Sequence, residues 1–78
     1  MRTYINSTTV MLLKGTGRFA ANRLMKNGDV IVNGVVETDN GIVRAYYHFS
    51  EELPFTEWIG GTIELIEENG QLVACARD

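Results

Sequence analysis

Two Asn-Gly dipeptides, Asn40-Gly41 and Asn69-Gly70, constrain the fold of this 78-residue chain more than any other feature. Each stands between runs in which apolar and polar residues alternate. Asn-Gly is the pair best suited to the two left-handed positions of a tight hairpin turn. Residues 29–38 with 42–49, and 62–68 with 71–77, are therefore expected to form two antiparallel hairpins. Taken literally, the first turn pairs Asp39 with Ile42, Glu37 with Arg44, Val36 with Ala45 and Gly34 with Tyr47. The second pairs Glu67 with Leu72, Leu65 with Ala74 and Ile63 with Ala76. Alternation on the first hairpin places Val30, Val32, Val36, Val43, Ala45, Tyr47 and Phe49 on a core face. Ile31, Val35 and Tyr46 then lie outward, among Asn33, Glu37, Arg44 and His48. Between the hairpins, Pro54 forbids a central strand, and Phe55, Trp58 and Ile59 are expected to pack onto the core edge.

Residues 7–27, STTVMLLKGTGRFAANRLMKN, carry a different period. Val10, Leu13, Gly17, Ala20 and Leu24 recur at spacings of three and four, the stripe of an amphipathic helix. Asn6 or Ser7 offers an N-terminal cap, and Gly28 suits the left-handed position that ends a helix. Gly15 and Gly17 each cost a helix interior about 1 kcal/mol. The segment is thus either one broken helix or two short ones, 8–14 and 18–27, with Gly15-Thr16-Gly17 as the turn. Residues 2–6 are expected to add a short edge strand. The fold expected is a single α+β domain spanning 1–78, an antiparallel sheet with the helical segment over Val32, Val36, Ala45 and Tyr47.

At 45% hydrophobic the chain has material for one core. A single cysteine, Cys75, excludes an internal disulfide and supplies no metal-ligand cluster, so neither metal nor cofactor is expected. No apolar run is long enough for a membrane span, and the N-terminus lacks the basic-then-apolar order of a signal peptide. These features are read as those of a cytoplasmic protein.

Charge is distributed unevenly. Arg2, Lys14, Arg18, Arg23 and Lys26 precede Gly28 with no acid among them, while all ten acids follow, against Arg44 and Arg77. Cations without neighbouring acids are the footprint of a protein that meets phosphates. Lys14, Arg18, Arg23 and Lys26 are therefore the candidate nucleic-acid contacts. Gly15-Thr16-Gly17-Arg18, if it opens a helix, would also present backbone N–H groups to an anion.

The stretch Arg18-x-x-Ala21-x-x-Leu24-Met25-x-x-Gly28-x-Val30-x-Val32-Asn33-Gly34 resembles the signature of the S4 RNA-binding domain. In that family it spans the second helix and first strand, and the basic two-helix surface lies on structured RNA. The resemblance covers residues 18–34 and implies that Arg18, Arg23 and Lys26 face RNA, with Lys14 ending the preceding helix.

Catalysis has no support in the residue pattern: His48 has no nucleophile at a fixed spacing, and Cys75 sits among strand residues. The function expected is a non-enzymatic binding module for RNA or another phosphate-bearing partner. The alternative is a small inhibitor, of the type phages and mobile elements encode, that binds a protein through its acidic sheet. Ile31, Val35 and Tyr46 are the candidate contacts of a homodimer formed through the outer face.

Overall fold

The computed structural model describes residues 10–77. The strand expected at 2–6 and the cap at Asn6 or Ser7 lie outside them. The described residues form β1 (Val10–Leu12), β2 (Gly17–Lys26), β3 (Asp29–Asp39), β4 (Ile42–His48), β5 (Glu57–Trp58), β6 (Thr62–Glu68) and β7 (Gln71–Arg77). They build one mixed sheet in the order β1-β7-β6-β2-β3-β4, with β5 on the same edge of β2 as β6. Among the described residues there is no helix, so the α+β expectation is corrected to an all-β fold.

Asn27-Gly28 explains the correction. Asn27 has φ 52° and Gly28 φ 87°, matching Asn40-Gly41 at 53° and 82° and Asn69-Gly70 at 52° and 77°. Positive φ at both central residues is the type I′ turn, whose twist suits two antiparallel strands. Gly28 does occupy the left-handed region that a helix end would need, but as the second residue of a third hairpin. The turn pairs Lys26 with Asp29 and continues to Gly17 opposite Thr38. The S4-like stretch is consequently strand, turn and strand, where the resemblance implies helix and strand.

A kink reconciles the helix-like spacing with a strand. Ala21 and Leu24 are three apart, yet both are buried in the same core. Strict alternation would separate them. Opposite them, Asn33 sits at φ 54° inside β3, and pairing lapses at Asn22 before resuming at Arg23–Val32 in unchanged register. At the same level the next strand breaks, where Gly60 (φ 76°) and Gly61 (φ 51°) separate β5 from β6. Backbone bonds from Ile59 N–H to the Ala20 carbonyl and from Arg23 N–H to the Gly61 carbonyl carry the pairing across that break.

The kink reverses which residues face inward. Val30 and Val32 are 50% and 60% exposed, and Ile31 packs against the core, the opposite of the face expected from alternation. A bulge between the Glu37 and Thr38 pairs leaves Arg44 as an extra residue, so Glu37 pairs with Ala45, Val36 with Tyr46 and Gly34 with His48. Asp39–Ile42 forms as the turn demands. The second hairpin has no bulge and pairs Leu65 with Ala74, Ile63 with Ala76 and Glu67 with Leu72.

The sheet curls until β4 approaches β7, enclosing Leu13, Leu24, Val36, Ile63 and Leu65. The loop between β1 and β2 clasps the β3–β4 turn. Gly15 accepts bonds from Gly41 N–H at 2.9 Å and from the buried Thr38 hydroxyl at 2.8 Å, and Thr16 Oγ1 accepts from Asn40 N–H at 2.9 Å.

Gly34 is the tightest point of this packing, because a Cβ there would overlap the Leu24 side chain, whereas one at Gly15 would meet open space. Gly34→Ala is expected to destabilise by about 2 kcal/mol as an overpacked core site, lowering Tm by roughly 10 °C in a domain this small. Gly15→Ala is expected to be neutral or slightly stabilising. Thermal melts of the two variants against the parent make the check.

Candidate functional site

Residues 50–61 cross the outer face of the sheet as a strap. Beneath it, Ala20 of β2 pairs with Val35 of β3, and both are buried although they point away from the main core. Phe49 and Trp58 meet above them edge to face, with ring centroids 6.4 Å apart and planes at 81°. With Glu52, Leu53 and Thr56 they line a half-open cavity of about 210 Å³ floored by Ala20 and Val35.

The middle of the strap is tied down by polar contacts. Arg18 Nη1 donates to the Pro54 carbonyl at 3.0 Å, and the Thr56 hydroxyl donates to the same oxygen at 3.1 Å. Arg18 Nε also pairs with Glu37 Oε2 at 3.2 Å, and the Tyr47 hydroxyl donates to that same carboxylate oxygen. Tyr47, Glu37, Arg18 and the Pro54 carbonyl thus form one chain from β4 to the strap.

Phe55 follows Pro54 at φ 53° with 97% of its surface exposed, and Trp58 is 57% exposed. The expectation that Phe55, Trp58 and Ile59 pack onto the core edge holds for Ile59, which packs against the core, and for part of Trp58, but not for Phe55. A left-handed backbone costs a non-glycine residue roughly 1–2 kcal/mol, and a bare aromatic ring in water gains nothing from burial. Neither feature stabilises the fold, which makes this turn a candidate interaction point among the described residues. Glu51, Glu52 and Glu57 on the same strap are all exposed.

The four candidate cations do not form one patch. Lys14 lies in the loop against the Gly41 turn, while Arg18, Arg23 and Lys26 are distributed along β2. Eight residues of strand separate Arg18 from Lys26, about 26 Å. Arg18 and Arg23 share the outer face, the latter donating from Nε to Thr62 Oγ1 at 3.1 Å. Acids stand beside the cations in space: Glu37, nineteen positions away, at Arg18, and Asp29, just across the turn, opposite Lys26. Gly15–Gly17 leads into a strand, so no helix N-terminus forms there to hold an anion.

The expected dimer contacts are also dispersed. Ile31 packs on the core, Val35 is completely buried under the strap, and Tyr46 is partly exposed on β4. His48 is exposed and its Nδ1 donates to the Val32 carbonyl at 2.7 Å. Burial, with help from Glu64 and Glu68, holds the Cys75 thiol above its ordinary pKa, away from the reactive thiolate. Among the described residues, no three His, Cys, Asp or Glu side chains converge to hold a metal, and no helix is long and apolar enough to cross a membrane.

Searches against protein-family models, curated proteins and solved structures find no match to this chain.

The hydrogen bond to Glu37 raises the Tyr47 pKa above its ordinary value of 10.0, with burial and the Glu37 charge adding to it and Arg18 opposing. Because the folded value is the higher one, the interaction stabilises fully below the unfolded pKa and is lost as pH rises through the folded one. Between pH about 9 and 11 the parent is expected to lose more stability than Tyr47→Phe, which has no such proton to release. Urea denaturation across that range tests it. Equal slopes would remove Tyr47 from the strap's anchoring chain.

Proposed function

We propose that this chain is a non-enzymatic, cytoplasmic binding module that docks a basic protein surface on its strap, as a small phage- or mobile-element-type inhibitor would. The observation that carries the reading is Phe55, an aromatic ring held almost entirely in solvent on a strained turn, with Trp58 three residues on also more than half exposed. Aromatic side chains inside a polar rim are the usual energetic centre of a protein interface. The rim here is Glu51, Glu52 and Glu57, and the sequence has no Lys or Arg between Arg44 and Arg77. Such a surface steers and selects a cationic partner.

A second reading keeps RNA as the partner. Arg18 and Arg23, both from the S4-like stretch, share the outer face with Phe55 and Trp58, and exposed aromatics beside cations suit a single strand. Two such contacts give a log–log salt slope of about −1.4, against about −3.6 for four contacts to a duplex. Glu37 already neutralises Arg18, and the three strap acids repel phosphate, so the protein partner is favoured.

A photo-crosslinking residue substituted for Phe55 in the producing cells separates these readings. Adducts to a protein, through Lys- and Arg-rich peptides and lost in Trp58→Ala, are expected. Adducts to RNA that vanish in Arg18→Glu with Arg23→Glu would put the second reading first. Adducts only to another copy of the chain would mean self-association, and no adduct at all would sink the docking reading.

A further inference from the structure

We propose that the cavity under the strap receives an arginine side chain from the docked partner, an inference that rests on the strap being a docking surface. At about 210 Å³ the space falls below the roughly 300–1,000 Å³ of small-molecule sites. It suits one side chain rather than a metabolite. Val35, Ala20 and Leu53 offer an apolar lining for an aliphatic stem, and the Phe49–Trp58 pair supplies aromatic surface for a planar cation. The single carboxylate in the lining is Glu52, which has no ion-pair partner among the described residues.

Charge decides between a cationic and a purely apolar occupant. Filling the cavity with leucine or methionine would strip water from Glu52 and return no counter-charge. A guanidinium both pairs with the carboxylate and stacks on the indole. Lysine, a compact and strongly hydrated point charge, does the second poorly. Arg18, the cation that holds the strap at Pro54, is committed to Glu37 and the Pro54 carbonyl and does not line the cavity, which leaves the site to a cation from outside.

Trp58 is the sole tryptophan, so its emission reports directly on the cavity. Titration with Gly-Arg-Gly peptide is expected to give a saturable change at millimolar concentration. Gly-citrulline-Gly, of the same shape but neutral, is expected to bind at least about tenfold more weakly. Glu52→Gln, at an exposed position with no ion pair among the described residues, should abolish the preference. Equal binding of the citrulline peptide, or no saturable change with arginine, would overturn the proposal. If the Phe55 cross-links to a protein persist in either of those cases, the docking surface stands and only the arginine pocket falls. Arginine-selective binding without any such cross-link would instead keep the pocket and remove the docking reading.

Discussion

The type I′ turn at Asn27-Gly28 joins β2 to β3, the two longest strands, and the position of every other described strand derives from that pair. β4 is built on the free edge of β3. β5 and β6 are built on the free edge of β2, with β7 and then β1 following outward. The requirement at the turn is narrow: two successive residues at positive φ, with a twist that brings the flanking backbones into register. Asn and Gly meet it at little cost, and from Lys26–Asp29 to Gly17–Thr38 the ladder then follows.

A second constraint runs across the strands instead of along them. Asn22 and Asn33 mark a kink in β2 and β3, and Gly60-Gly61 breaks the neighbouring strand at the same level. On one side of this line Phe19, Ala21 and Val36 face the core. On the other side Leu24 and Ile31 do, and Gly34 supplies the space Leu24 needs. The pair Ala20–Val35, left facing outward, becomes the floor on which the strap packs.

The strap combines anchored and unanchored groups within a few residues. Arg18, held by Glu37, fixes the Pro54 carbonyl, and the very next residue presents its ring to solvent. A rigid mount for an exposed aromatic lowers the entropy lost when a partner covers it. The acids of the strap, Glu51, Glu52 and Glu57, are exposed on the same short segment. Exposed aromatic and acidic groups are in this way gathered on one short connection, while the strands provide its support.

Length, composition and the two Asn-Gly turns between alternating runs determined, from sequence alone, a one-core chain with the hairpins at 40–41 and 69–70. The second hairpin was legible to the residue because its strands contain no bulge or left-handed residue. The segment 17–28 was not legible, because a glycine at positive φ ends a helix as readily as it closes a hairpin, and Ala20 and Leu24 satisfy a helical stripe by spacing. Nor were the faces of Val30, Ile31 and Val32. The backbone angle of one residue, Asn33, reverses their parity, and no alternation pattern reports it. Charge clustering misled for a related reason: sequence separates Arg18 from Glu37 by nineteen positions, and strand pairing places them together. Only the tertiary structure exposed Phe55, since whether a ring beside a proline finds a core to enter depends on where the whole strap is tied.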